Sequence, residues 1–312
     1  MFLLGVVGLP PQRTIRHVSG AVFDDGWTLR PQALVRRSRT GLAQAVRSRI
    51  GGRNFQAVHD QIWDTPGPRR FTESDAIWEV HADTAMFIGG IRALLLQSLH
   101  PVAMHGVSSN SGFRGDPWGR LQRTGRFIAT TTYGTLEQAE RSIDQVRAIH
   151  LRINGTTEDG TAYRASDPHL LAWVHAAEVD SFLGCHQVFG AQPLSAPRAD
   201  DYVRQSGLLA AQLGVLDPPN TVAELAEVLA DFRPELRFTP AARDAADLLL
   251  RTPPLEGPAR LGYSVLAGGA VSLLPAWARS MLLLPTLPAT DRVLTRPLAR
   301  SAMRTMRWAL SG

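Results

Sequence analysis

The stretch from residue 92 to residue 150, RALLLQSLHPVAMHGVSSNSGFRGDPWGRLQRTGRFIATTTYGTLEQAERSIDQVRAIH, decides the fold. Arg92 to Gln97 continues an apolar helix that ends near His100-Pro101, because a proline disfavours helical backbone in the residue before it. Ser108 to Pro117 is small and polar and reads as a loop. Asp116-Pro117 puts proline in the first turn of the next helix, where its missing N–H costs nothing. That helix runs to about Tyr133. Gly134-Thr135 then supplies a turn and a cap, and a helix follows from Leu136 to about Ile153. Its apolar stripe is Ala139, Ile143, Val146, His150 and Ile153, at spacings of four, three, four and three. Helix follows helix with no alternating strand between.

Five residues of this stretch are candidates for chemistry. Arg120 and Thr124 are four apart and share a helix face. A guanidinium and a hydroxyl one turn apart can address a single ligand, and they equally suit a salt bridge and a back-bonded threonine. His150 sits on a buried stripe, where an imidazole loses hydration and needs a partner. That partner is a metal or a backbone carbonyl. His100 and His105, in HPVAMH, line a pocket or cap a helix end, with His105 at a bend before Gly106. Downstream, Ser166-Asp167-Pro168 starts a helix with Leu171, Val174, His175, Glu178 and Phe182 on one stripe, which allows a structural His175–Glu178 hydrogen bond. Cys185 reads as a small buried hydrophobe.

Outward from this core the chain stays helical. Residues 1–30 look irregular, and Pro31 to Ile50 is a basic helix stopped by Gly51-Gly52. A short helix at Phe55 to Trp63 precedes the break Thr65-Pro66-Gly67-Pro68. Thr72-Glu73-Ser74-Asp75 opens a run with Ile77, Val80, Thr84 and Phe87 on its core face. Gly89-Gly90 interrupts that run, as a kink or as a place for close approach of a backbone or flat ligand. Asn154 to Tyr163 is a loop or small hairpin. Further helices are expected at 198–213, 221–232, 240–251, 258–284 and 290–310, divided by prolines. No repeat or low-complexity linker appears, so 1–312 reads as a single all-α domain.

The 33 basic residues are all arginine and give a formal charge of +5. They are scattered rather than blocked with aromatics, so no nucleic-acid partner is expected. One cysteine excludes an internal disulfide and a cysteine zinc cage. No Glu-x-x-His, HExxH, Walker loop or G-x-S-x-G elbow occurs, which removes di-iron, zincin, P-loop and esterase chemistry. Gly5-Val6-Val7-Gly8 lacks the rest of the dinucleotide spacing. The start MFLLGVVGLPPQR lacks the basic region and cleavage site of an export signal. The expected location is cytoplasmic, with peripheral membrane contact through 31–50 and the apolar segment 261–287.

Taken in order, RALLLQSLHPVAMHGV, FRGDPWGRLQRT, the YGT turn at 133–135, VRAIHLRINGT and YRASDPHLLAWVHAAEVDSFL resemble the bacterial DUF2236 proteins. That family groups MpaB-type oxygenases with the latex-clearing rubber oxygenases. The resemblance covers about residues 75–190 well. It implies a globin-like helical core with added N- and C-terminal helices and a b-type haem. His150 matches the iron ligand, and Arg120 and Thr124 match the Arg-x-x-x-Thr pair beside the haem, with His105 a further pocket residue. Arg123 stands where rubber oxygenases present a distal lysine, so a lysine sixth ligand is excluded. The carboxylate base of those enzymes has no placed counterpart. The expected protein is a haem b-dependent oxygenase using dioxygen on a small apolar substrate, lipid or isoprenoid-like. The alternative is a non-catalytic haem- or lipid-binding helical protein.

Overall fold

A computed structural model describes residues 55–110 and 117–311, without the side chains of residues 55, 110, 117, 118, 120 and 121. The irregular segment 1–30, the basic helix 31–50 and the loop tip 111–116 lie outside the described residues.

The first half runs through α1 (Phe55–Trp63), α2 (Ala76–Ala82), α3 (Met86–Gln97), α4 (Pro101–Asn110), α5 (Pro117–Tyr133) and α6 (Leu136–Arg152). A hairpin of β1 (Asn154–Thr156) and β2 (Ala162–Arg164) follows, with Gly155 opposite Tyr163. Then come α7 (Pro168–Phe189), α8 (Ala196–Leu213), α9 (Val222–Asp231), a 3-10 turn (Arg233–Glu235), α10 (Pro240–Leu250), α11 (Gly257–Leu273) and α12 (Ala276–Met281). The last helix, α13 (Arg296–Leu310), is entered through a helical turn at Pro288–Thr290 and a π turn at Asp291–Thr295. The architecture is all-α, as the sequence reads.

At the centre is α3, buried on every side from Met86 to Leu96. A helix apolar all round belongs in a core, where several neighbours cover it. It lies against α7 and α11. The glycines within it do not interrupt the helix as expected: the break falls earlier, between α2 and α3, where the Asp83 carboxylate accepts from the Ala85 N–H at 2.7 Å. Gly89 instead marks the closest approach of α7. A methyl group there would meet Phe182 Cδ1 at 2.8 Å and the Phe182 Cα at 3.2 Å.

Helix starts follow their caps. Thr135 and Gln138 form a reciprocal capping box on α6. Asp167 accepts from the His169 N–H, with Pro168 in the first turn of α7. The long helix expected at 258–284 is broken at Leu274-Pro275, and Ser108 to Asn110, read as loop, finish α4. Arg69 ties α1 to the α5–α6 turn by donating to the carbonyls of Ile62, Trp63 and Tyr133. Trp63, Trp78 and Tyr133 pack edge and face beside it.

No single helix among the described residues is long and apolar enough to cross a membrane. The pair α3 and α4 has the composition, but it is bent by 108° and α3 is already buried in protein.

Candidate functional site

Two neighbouring cavities lie among α2, α4, α5, α6, α7 and α8. The smaller, about 130 Å³, is walled by apolar side chains such as Ile77, Phe127, Val179 and Leu209. Into that lining project Thr124, His81, His150, His175, Glu178 and Tyr202. The larger, about 440 Å³, lies between α4, the end of α6 and the start of α7, with Ala103, Gly106, Ile149 and Tyr163 in its wall. His150, Leu171 and Val174 line both. His150 therefore stands at the seam.

The helical spacings explain the arrangement. Residues 171, 174, 175 and 178 occupy one face of α7, and that face is turned to the smaller cavity. From the sequence this stripe looks like solid core. The structure leaves space in front of its middle, at Val174, His175 and Glu178, while Leu171 and Phe182 at its two ends are buried in packing. His150 comes from the last turn of α6, and Thr124 from the middle of α5. The backbone of Arg120 is one turn before Thr124, and its side chain lies outside the described residues. Arg123 is exposed and lines the larger cavity. His105 stands one residue back: it is within α4 rather than at a bend, its ring meets Tyr163 edge-on at 5.5 Å, and Tyr163 is the one lining the cavity.

Burial controls the charge of this site. It lowers the His175 imidazole from 6.5 to about 4 and the His81 imidazole to about 3, the latter helped by the nearby His186. Both are neutral at physiological pH and keep a lone pair. Burial raises the Glu178 carboxyl from 4.5 to about 7. It also raises the Tyr202 phenol well above its usual value, with the charge of Glu178 adding to the effect. His81 is held by Thr132 Oγ1 at 2.9 Å on Nδ1 and by the Tyr202 hydroxyl at 3.3 Å on Nε2. His175 Nε2 is buried and has no hydrogen-bond partner. The expected His175–Glu178 pair does not satisfy that atom. A buried, unpaired imidazole nitrogen costs free energy unless something in the site engages it.

Sequence reading thus finds His150, Thr124, His175 and Glu178 but gives the last two a packing role. It misses His81 and Tyr202. His81 is in α2, among core residues of the expected helix, and only its partners Thr132 and Tyr202, far away in sequence, reveal it. Arg92, at the head of the quoted stretch, is not part of the site. It is buried and bonded to Asp180, Ser181 and the Leu273 carbonyl.

A neutral-imidazole cavity with a titratable carboxyl is suited to holding a metal-centred group and to moving protons beside it. Residues 78–308 match the family described as ER-bound oxygenase mpaB/B'/Rubber oxygenase, catalytic domain. The chain is also similar to the uncharacterized proteins Mb2261 of Mycobacterium bovis and Rv2237 of Mycobacterium tuberculosis. Each is 30% identical over 110 residues, which is 34% of this chain and 43% of the relative. The match thus spans less than half the length of those relatives. No solved structure matches the chain. The family match runs from α2 to α13 and takes in both cavities, and on it the chain belongs to the mpaB and rubber oxygenase catalytic-domain family.

Proposed function

We propose that this chain is a haem b-dependent oxygenase acting with dioxygen on a small apolar molecule of lipid or isoprenoid type. The observation that carries the reading is the position of His150, on the seam of two neighbouring cavities with largely apolar walls, with Thr124 in the wall of the smaller. The larger cavity falls within the ~300–1,000 Å³ typical of small-molecule sites. The residues fit the group: the neutral imidazoles of His81 and His175 line the smaller cavity, and His175 Nε2 has no hydrogen-bond partner there. Bound haem supplies a redox-active iron for chemistry with dioxygen.

The chain's own groups have distinct parts. His150 would offer the iron an imidazole nitrogen. Thr124 offers a hydroxyl to a propionate, water or dioxygen, and Arg120, one turn earlier, offers a guanidinium fork for the same purpose. Glu178 is the carboxyl with an affinity for protons poised near neutrality, so it takes up or returns a proton at its carboxylate oxygen. It fills the part of the base that sequence comparison leaves unplaced. Apolar walls exclude water and admit an apolar substrate.

The test is an absorption spectrum with iron analysis of purified full-length protein. A Soret band that His150→Ala removes supports the reading. A colourless protein after expression with haem precursor sinks the cofactor, and unchanged haem content in the variant sinks the ligand. Mixing the reduced protein with oxygen and candidate lipids, then searching for oxygenated products, tests catalysis.

One observation favours the non-catalytic alternative at a membrane surface. Leu283, Leu287, Val293, Leu294 and Leu298 are exposed, and exposed Arg292 and Arg300 accompany them. Exposed apolar side chains with cations suit an anionic lipid interface. Co-sedimentation with anionic vesicles that high salt abolishes would support it.

A further inference from the structure

Away from the cavity wall, three side chains converge that the proposed oxygenase chemistry does not use. Glu235 receives His169 Nε2 at 2.9 Å, and His100 Nε2 approaches its Oε2 at 3.4 Å. The ligand atoms of all three lie within 4.8 Å of one another. They come from three separate places in the chain: the residue before α4, the first turn of α7, and the 3-10 turn after α9.

We propose that His100, His169 and Glu235 form a binding site for a divalent transition metal, with zinc as its natural occupant.

Donor chemistry, spacing and backbone support this. Two imidazole nitrogens and one carboxylate suit zinc and its neighbours, whereas magnesium and calcium prefer all-oxygen shells. Ligand atoms at ~2.0–2.2 Å from a tetrahedral zinc lie roughly 3.3 Å apart. The observed 2.9 and 3.4 Å bracket that spacing. His100 is buried, at 3% exposure, while the side chains of His169 and Glu235 are 56% and 43% exposed. The site is therefore anchored on one side and open to a solvent ligand on the other, the three-ligand form in which zinc keeps a water.

Each ligand is also a neighbour of proline: His100-Pro101, Pro168-His169 and Pro234-Glu235. A proline ring fixes its own backbone angle and restricts the residue before it, so the three ligands are carried on stiffened chain. The Arg237 N–H donates to the Leu99 carbonyl at 2.7 Å, which ties the Glu235 turn to the His100 corner. Phe232 packs on the His169 ring at 4.5 Å and fills the floor with Trp173.

One contact must change on binding. His100 Nδ1 accepts from the Ala103 N–H at 3.3 Å, so without metal the ring proton sits on Nε2. Ligation through Nε2 moves that proton to Nδ1 and gives up this long, weak contact. The occupant would clamp the larger cavity. His100 leads into α4, which carries Ala103 and Gly106 of its wall, and His169 precedes Leu170 and Leu171 of the same wall.

Zinc chloride titrated calorimetrically into chelator-stripped, full-length protein tests the site, with no dependence on haem. One zinc per chain is expected. His169→Ala and Glu235→Gln are each expected to weaken it beyond the ~10–100-fold that loss of an outer-shell partner costs. Both side chains are exposed, and circular dichroism checks that the variants stay folded. Cobalt(II) in place of zinc should give visible bands that Glu235→Gln shifts. Absence of stoichiometric zinc, or affinity equal to wild type in both variants, overturns the proposal and leaves a hydrogen-bonded His–Glu–His bridge.

Discussion

Helix α7 presents two faces that handle buried polarity in opposite ways. On the face toward α3, charges are matched. Asp180 meets Arg92 at 2.7 Å, and Ser181 accepts from the same guanidinium at 2.8 Å. Just past the helix end, Asp83 accepts from the Ala191 N–H, the Ala85 N–H and Arg307. On the face toward the cavity, Glu178 has no such compensation and its carboxyl rises to about 7, while His175 keeps an unmet nitrogen. One face holds the fold and the other is poised for ligands. Stability that could have been gained by pairing Glu178 is absent from the fold, as is common where a site is kept ready for chemistry.

The matched side should break hardest. Asp83→Ala removes a carboxylate serving two backbone donors and a cation, and strands Arg307 beside the Phe189 carbonyl. Removing one partner of a buried ion pair typically costs ~3–5 kcal/mol. Urea denaturation monitored by circular dichroism should show a loss of that size. A loss below ~1 kcal/mol, the value of a surface pair, would mean that the two faces do not differ as described.

The cavity side should respond in the other direction. The folded-state value for Glu178, about 7, exceeds its unfolded reference of 4.5, so between those limits the folded chain holds a proton that the unfolded chain has lost. This group's contribution to stability therefore falls as pH rises from about 4.5 to about 7 and is level above that. At roughly 1.4 kcal/mol per pH unit the ceiling is about 3.5 kcal/mol. Glu178→Gln should thus become more stable than wild type as pH increases through this window. His175 and His81, held at about 4 and about 3, act oppositely and weaken the fold as pH falls below 6.5. They are present in both proteins and cancel in the comparison. Parallel denaturation curves at pH 5 and pH 8 with an unchanged difference between the proteins would remove Glu178 from its uncompensated position.

Gly89 sharpens the packed side by a smaller amount. Its added methyl would press on Phe182 and on the Ser181 carbonyl at 3.3 Å, and the backbone there cannot turn aside as a flexible side chain would. Gly89→Ala should cost ~1–3 kcal/mol of overpacking, against a helix-propensity gain of under ~1 kcal/mol. A net loss in thermal denaturation is expected, and a stabilised variant would show that α3 and α7 do not meet this closely.

These contrasts explain what was legible in the sequence. Helices with polar edges and caps could be read: Thr135 and Asp167 announce α6 and α7, and the structure has both. The break before α3 is not read, because beside its local bond to the Ala85 N–H, Asp83 is held by Arg307 and Ala191, more than a hundred residues away. In the site, periodicity finds His150, His175 and Glu178 as members of apolar stripes. It cannot distinguish a stripe that meets side chains from one that meets a cavity, since both are apolar with the same period. The His100–His169–Glu235 corner is invisible for a related reason: its members are far apart in sequence, and each taken singly is an ordinary helix-end residue. A resemblance to a family supplies order along the chain, and geometry supplies which residues share a space.

The smallest effect belongs to charges that belong to neither face. Arg141 and Glu137 on α6 pair at 3.0 Å with side chains 62% and 76% exposed, one turn apart on the helix. Water screens both partners, and holding two long side chains in one geometry costs entropy, so such a pair contributes ~0.3–0.5 kcal/mol. Arg141→Ala should shift the urea midpoint by little more than the error of measurement, and most of that shift should vanish in high salt. Asp83→Ala measured in the same salt should keep its full cost, because Asp83 is only 6% exposed and ions do not reach it. If salt erased both effects alike, the burial that separates the matched interior around Asp83 from the solvated surface of α6 would not be what determines their strength.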